Sequence, residues 1–325
     1  MHHFPLDQYQ NGNDDAEPTT YSFNSVIDGW ARVADKYEQA GKQAEALLTR
    51  MQKLDSADDS RNVKADTVTM NSLINAWSKC SGSGSAERAQ QILEYMEKNS
   101  DENDIVAPNE ISYTSVISAW ANCDHPRSAE KAESILRRME TMHAKGNGGV
   151  KPNVFSYSSV INAYSRKGQA KMAERILRQM QSSYQAGDFD LKPNVITYNA
   201  VIKAWSQCRD DPNAAHRAEL YLRSMQRMYK EGNLDVKPDL FSFNAVLNAW
   251  AKSLKWEAIT RAGKILRYME IQSENGKLDF KPNTVSYTAV SSQCRLPIFF
   301  SFVEYSFLIF CFSSARLFIW RRLRS

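Results

Sequence analysis

Seven small polar residues recur along the chain at nearly constant spacing: Asn24, Asn71, Thr114, Ser158, Asn199, Asn244 and Thr288. Successive gaps are 47, 43, 44, 41, 45 and 44 residues, and only Asn, Thr and Ser fill the position. An amide both donates and accepts hydrogen bonds and a hydroxyl serves as either, so such a set offers recognition by hydrogen bonding. A capping or packing role alone would not confine an internal helix position to these three types. A second polar set, Asn109, Asn153, Asn194 and Asp239, follows a proline and precedes a Ser or Thr by three residues. That pattern fits a helix N-cap, and it fits equally a hydrogen-bonding group offered to a ligand.

Bond-making chemistry has no such support. His2, His3, His125, His143 and His216 form no H-E-x-x-H, and no H-x-E precedes a P-C-x-x-C, so neither zinc peptidase nor zinc deaminase chemistry is indicated. No glycine-rich phosphate loop is present. Cys80, Cys123, Cys208, Cys294 and Cys311 include no C-x-x-C pair, which speaks against a zinc knuckle or redox dithiol and for a reducing compartment. The reading is a non-enzyme without cofactor, metal or small-molecule substrate.

The net charge of +4 resides in the last 35 residues, which hold five arginines against one glutamate. The rest of the chain is neutral, so no argument for nucleic acid can rest on global basicity. A hydrophobic share of 42% and a charged share of 24% suit a folded chain with a sizeable core.

The elements that must position the polar set follow from the repeats. The string from Val150 to Tyr164 recurs from Leu191 to Trp205 and from Val236 to Trp250; earlier copies begin at Val63 and Val106, a partial one near Pro18 and a last one at Phe280. Each unit predicts two helices. The first ends on Trp30, Trp77, Trp120, Tyr164, Trp205 or Trp250, six residues past the register position; at that offset these rings belong to the core between repeats. The second carries Ala, aliphatic residues at +3 and +4, and Met at +7, as in Ala132, Ile135, Leu136 and Met139 or Ala173, Ile176, Leu177 and Met180, with Met51, Met96, Met225 and Met269 elsewhere. Those offsets share one helical face. Gly146, Gly187, Gly232 and Gly276, with Asn103 in repeat two, lie seven residues past the Met, where a left-handed residue can end the helix. Cys80, Cys123 and Cys208 fall at one equivalent position and read as packing residues. Basic runs such as Arg137-Arg138 read as solvated faces balanced by nearby glutamates. A hairpin of two helices cannot bury its own apolar face, so the units must stack. The expected fold is all-α, an α-solenoid of tandem helix-turn-helix repeats with a concave inner surface.

The pattern Lys-Pro-Asn/Asp-x-x-Ser/Thr-Tyr/Phe-Asn/Thr/Ser-x-Val-Ile-x-Ala, followed by Ala-x-x-Ile-Leu-x-x-Met, resembles the pentatricopeptide repeat family over about residues 18–290, six units and the start of a seventh. Extra residues after each Met make these long-form repeats. A tetratricopeptide array would want Trp-x-x-Leu-Gly in its first helix, which no repeat has. The resemblance implies single-stranded RNA as partner, read at one base per repeat. In the family the register residue and the Asn or Asp closing the repeat set base choice together. Here that pairs Asn24 with Asp66, Asn71 with Asn109, Thr114 with Asn153, Ser158 with Asn194, Asn199 with Asp239 and Asn244 with Asn283; Thr288 opens the next pair. By analogy Asn+Asp favours U, Asn+Asn a pyrimidine, and Thr or Ser with Asn favours A, giving U-Y-A-A-U-Y. Val68, Ile111, Phe155, Ile196, Phe241 and Val285 would sandwich the bases as stacking platforms. The resemblance further implies service in RNA processing, stability or translation in a mitochondrion or plastid, with other RNA-processing proteins as further partners. A protein-binding helical scaffold is the rival reading, distinguished by an apolar, groove-like inner face.

Residues 1–17 read as a disordered N-terminal segment in which no targeting segment is visible at Met1: it lacks a secretory apolar run and carries Asp7, Asp14, Asp15 and Glu17. Residues 291–325 break the seventh repeat. The stretch Ile298–Trp320 is long enough to span a bilayer, flanked by Arg321 and Arg322, but Glu304 and Arg316 inside it would be costly. The preferred reading is that the open frame leaves the repeat near Ser291, through an unspliced intron or frame slip; a membrane anchor is the alternative. The Met-His-His start just ahead of a first repeat likewise suggests a truncated gene model.

Overall fold

Each first helix begins where a side chain can satisfy the orphan amides of its first turn. Asp66, Asn109, Asn194 and Asp239 adopt extended backbone and accept from the amide three residues on, while the Ser or Thr there accepts from the cap's own N–H. Such a reciprocal capping box stabilises a helix by about 1 kcal/mol. Thr19 with Ser22 does the same for the first repeat.

The computed structural model describes residues 18–57, 63–80, 82, 84–100, 104–253 and 255–293. Asn103, Cys294, Cys311 and the segment 298–320 lie outside them, as do residues 1–17. Among the described residues there are thirteen α-helices and no strand, the all-α helical-repeat architecture that the periodicity implies. No helix there is long and apolar enough to cross a membrane.

Two compact units divide after Ala163. The first holds α1 (Thr20–Val33), α2 (Ala40–Ala57), α3 (Thr67–Lys79), α4 (Ser85–Asn99), α5 (Glu110–Asn122), α6 (Ser128–Ala144) and most of α7 (Val154–Arg166). Within it α1 packs on α2 and α3, and α3 on α4 and α5, so α1 and α3 each meet their own partner and the next first helix. The second unit holds the end of α7, then α8 (Ala170–Gln185), α9 (Val195–Gln207), α10 (Ala214–Lys230), α11 (Leu240–Lys252), α12 (Ala258–Glu274) and α13 (Thr284–Gln293). There α9 packs on α8, α10 and α11, and α11 on α12 and α13.

The core follows the sequence pattern. Met51, Met96, Met139, Met180, Met225 and Met269 are all fully buried. Trp120, Trp205, Trp250 and Tyr164 are buried almost completely, and Trp30 is half-buried against Ala34, Ala40 and Cys80. Helix α2 approaches α3 so closely that a Cβ on Gly41 would lie 2.6 Å from the Trp77 ring. Cys80, Cys123 and Cys208 occupy the C-caps of α3, α5 and α9, where each backbone N–H donates to the carbonyl of Trp77, Trp120 or Trp205.

The extra residues after each Met carry the second helix onward to a glycine with φ of +98° at Gly146, +106° at Gly187, +99° at Gly232 and +65° at Gly276. Beyond the first three a 3-10 turn follows, and it buries Val150, Leu191 or Val236 in the core. The lengthened repeat thus adds an apolar anchor ahead of the Lys-Pro step.

Hydrogen bonds tie second helices to the next first helix. The phenol of Tyr113 donates to Glu97 (2.6 Å), that of Tyr157 to Glu140 (2.5 Å) and that of Tyr287 to Glu270 (3.0 Å), while Gln181 donates to the Tyr198 phenol (2.8 Å). The acceptor or donor is in each case the residue after the buried Met. Arg138 also pairs with Glu97 and, at 3.5 Å, with Glu94, so the Arg137-Arg138 run links repeats as well as facing solvent.

Candidate nucleic-acid interface

The first turn of each first helix presents three functions at fixed positions. Its second residue is apolar and exposed: Val68, Ile111, Phe155, Ile196, Phe241 and Val285 are between 48% and 62% accessible. A single exposed apolar side chain is ordinary; its recurrence at one place on every repeat points to a surface that a ligand covers. Tyr21 holds the same place in α1 and is 81% exposed. It belongs with that set on the same offset from Asn24, a signal present in the sequence.

Three residues further on stands the register residue. Where it is asparagine, it closes a four-membered ring of hydrogen bonds with the next repeat. In the first such ring Asn24 Nδ2 donates to Asp66 Oδ1 (3.2 Å), which also accepts from the Thr69 amide (2.8 Å). The Asp66 amide donates to Thr69 Oγ1 (3.1 Å), and that hydroxyl lies 2.6 Å from Asn24 Oδ1. Asn71, Asn109 and Ser112 repeat the ring, with Asn71 Nδ2 3.2 Å from Asn109 Oδ1 and Ser112 Oγ 2.6 Å from Asn71 Oδ1. In the second unit Asn199, Asp239 and Ser242 give 3.1 and 2.6 Å for the same two bonds. Asn244, Asn283 and Ser286 give 3.3 and 2.7 Å. The N-cap role and the pairing of register with closing residue therefore coexist in one side chain.

Where the register residue is Thr or Ser, the hydroxyl turns back into its own helix. Thr114 donates to the Glu110 carbonyl (2.8 Å), Ser158 to the Val154 carbonyl (2.5 Å) and Thr288 to the Thr284 carbonyl (2.7 Å). Asn153 still caps α7, yet its amide nitrogen donates to the Glu110 carboxylate, and Ser156 Oγ donates to the carbonyl of Asn153 itself (2.8 Å). Asn194 caps α9 in the same manner, with Thr197 Oγ1 on the Asn194 carbonyl (2.7 Å).

The rings leave defined groups outward. A register asparagine has committed one Nδ2 proton and one Oδ1 lone pair, so one donor and one acceptor remain. A closing aspartate keeps a second, acceptor-only oxygen, which at Asp239 also lies 3.2 Å from Asn199 Nδ2. A closing asparagine, its oxygen turned inward by the cap, keeps an amide donor. Lysines two residues ahead of the closing position are engaged: Lys192 pairs with Asp235 (2.6 Å) and Lys237 with Asp279, and both ammonium groups are held above their ordinary pKa by that hydrogen bond.

A sequence model of the pentatricopeptide repeat domain matches residues 54–123, 134–208 and 187–253. No curated protein matches the chain. Among solved structures it is similar to the pentatricopeptide repeat protein PPR10 from maize, at 19% identity and a TM-score of 0.40 over 89% of this chain and 43% of that one. It is similar also to PPR10 in complex with an 18-nt psaJ RNA element, at 16% identity and a TM-score of 0.43 over 89% of this chain and 45% of that one. The chain thus spans less than half the length of those structures. On the match of the domain model across more than half of its length, the chain belongs to the pentatricopeptide repeat family.

Proposed function

We propose that the repeats spanning residues 18–290 bind single-stranded RNA and read about one base each. The observation that carries this reading is the recurrence, at one helix end, of an exposed apolar residue beside a hydrogen-bonded register and closing pair. A base stacked on Ile196 or Phe241 would lie within reach of the groups that Asn199 and Asp239 leave free. Stacking of this kind contributes about 1–3 kcal/mol per base.

The chemistry of the outward groups supports a choice of base at each repeat. Uracil offers an N3–H donor between two carbonyl acceptors. It suits the outer carboxylate oxygen of Asp66 or Asp239 together with the free N–H of Asn24 or Asn199. Cytosine offers an acceptor at N3, which suits the outward amide donor of Asn109 or Asn283. The Asn+Asn repeats therefore favour cytosine among pyrimidines, and Thr114 and Ser158 with their asparagines favour A by family analogy. The same resemblance supports a non-catalytic adaptor role in RNA processing, stability or translation in a mitochondrion or plastid.

The test is a binding titration of the full chain against the RNA 5′-UCAAUC-3′ extended by flanking bases, against its permutations and against the DNA of the same sequence. Tighter binding to that RNA than to its permutations supports base reading. Equal binding of every RNA overturns it, and binding of none transfers the exposed apolar row to the protein-scaffold reading.

A further inference from the structure

We propose that Thr69, Ser112, Ser242 and Ser286 are positioning residues for base selection: each hydroxyl pins the Oδ1 end of the preceding register asparagine, whose NH2 end the closing residue holds. The inference rests on the base-reading function above and adds a third residue to each reading pair.

The orientation is forced by chemistry, not by the choice of amide labels. Asp66 and Asp239 are acceptors only, so the asparagine atom facing them must be the NH2. In the Asn109 and Asn283 repeats the closing oxygen is held inward because it accepts the cap amides of Ser112 and Ser286 (both 3.2 Å), so the same NH2 must face it. The asparagine Oδ1 is then left against the hydroxyl, whose own lone pair is occupied by the closing residue's backbone N–H. The closing Oδ1 also lies within reach of that hydroxyl, at 2.8–3.2 Å, and the nearer acceptor for its proton is the register asparagine Oδ1. At 2.6–2.7 Å that bond is also the shortest the amide makes, against 3.1–3.3 Å to the closing residue.

The contrast within the chain separates this role from capping. Ser156 is as buried as Ser242, at 0% accessibility, and accepts the same backbone N–H. Its register neighbour is Thr114, which offers no amide oxygen, and its hydroxyl goes to its own cap carbonyl instead. Capping therefore needs the hydroxyl as an acceptor in both repeats, while its proton serves the register residue in one only.

Removal of the hydroxyl leaves the amide oxygen without its donor and the amide held at its NH2 end alone, for Asn199 by contacts of 3.1 and 3.2 Å to the two oxygens of Asp239. The amide can then swing about that end, which displaces the donor and acceptor offered to the base. Selectivity suffers before affinity does.

The experiment compares Ser242→Ala with the matched control Ser156→Ala in the full chain, with Ser242→Thr as the conservative variant. Titrations use RNAs that differ from 5′-UCAAUC-3′ at the third or the fifth base only. Side-chain NH2 resonances of Asn199 in the free protein report the amide lock directly. Expected is a loss of about tenfold in discrimination at the fifth base for Ser242→Ala. Selectivity at both bases should be unchanged for Ser156→Ala, and Ser242→Thr should retain the wild-type ranking. The Asn199 NH2 pair should shift and broaden in Ser242→Ala alone. Loss of the lock without loss of selectivity, or equal loss in both alanine variants, overturns the positioning role. If the wild type ranks all bases alike, base reading itself fails, and the NH2 resonances still show whether Ser242 holds Asn199.

Discussion

Asn and Thr share the register position but use it differently, and the difference is one of reach. A threonine hydroxyl sits close to its own backbone and bonds the carbonyl four residues back, as Thr114 does to Glu110. An asparagine amide extends one atom further and meets the next repeat. Thr114→Asn should therefore build a new ring with Asn153 and Ser156, because Asn199 is held at the same 8% accessibility as Thr114. The expected outcome is a change of preference at the third base from A to a pyrimidine, by about tenfold. It is read by titration with RNAs varied at that base, and unchanged ranking would show that the ring does not govern choice. The identities of these residues were legible in the sequence, because the period exposes any position restricted to Asn, Thr and Ser. Their bonds were not legible. Ser156 and Ser242 stand in closely similar local contexts, Lys-Pro-Asn-Val-Phe-Ser and Lys-Pro-Asp-Leu-Phe-Ser, and what differs around each hydroxyl is chiefly the side chain delivered by the preceding repeat. Tyr21 is less visible because the first repeat is a partial copy, although it keeps the offset of three from Asn24.

The helices owe their ends to two devices that the sequence does announce, an Asn or Asp after proline and a glycine seven residues past a buried Met. Gly187 has a φ of +106° and open space around its missing Cβ, so Gly187→Ala tests backbone strain alone and should cost about 1–2 kcal/mol. Gly41 has ordinary backbone but no room beside Trp77, and Gly41→Ala should destabilise through displaced packing. Denaturant unfolding of both variants measures the two costs, and a neutral Gly187→Ala would remove the strain argument. The bonds between helices were harder to foresee, since nothing local pairs a glutamate with a tyrosine sixteen or seventeen residues on. They predict an alkaline limit. Burial first, then the bond to Glu270, raises the Tyr287 phenol to about 12, and burial with Glu97 raises Tyr113 as well. A phenol whose folded pKa exceeds its unfolded value near 10 contributes stability that is complete below pH about 10. That contribution fades as pH rises through the folded value. Unfolding midpoints should therefore fall between pH about 10 and about 12, and Tyr287→Phe should lessen the fall.

At the scale of the whole chain the charge distribution decides what kind of binder this is. Residues 1–290 carry no net charge, and Lys192 and Lys237, ahead of two closing residues, already hold Asp235 and Asp279. Phosphate neutralisation releases counterions and gives single-strand binding a slope of about −0.7 per phosphate in log K against log salt. A body without net charge, with Lys192 and Lys237 paired internally, should neutralise few phosphates, so the slope should stay shallower than about −2. Arg316, Arg321, Arg322 and Arg324 stand apart from that body in the sequence and could add non-specific attraction of their own. Replacing all four with glutamine in the full chain separates the two contributions. The expected result is weaker binding of every RNA to the same degree, a slope closer to zero, and an unchanged ranking of bases. A slope that remains steep without those arginines would mean that the paired lysines release their aspartates on binding, and Asp235→Asn with Asp279→Asn would then tighten binding at low salt. A ranking that changes with the arginines would place part of the selectivity outside the repeats, against the proposed division of labour in which register and closing residues choose the base and charge only draws the strand in.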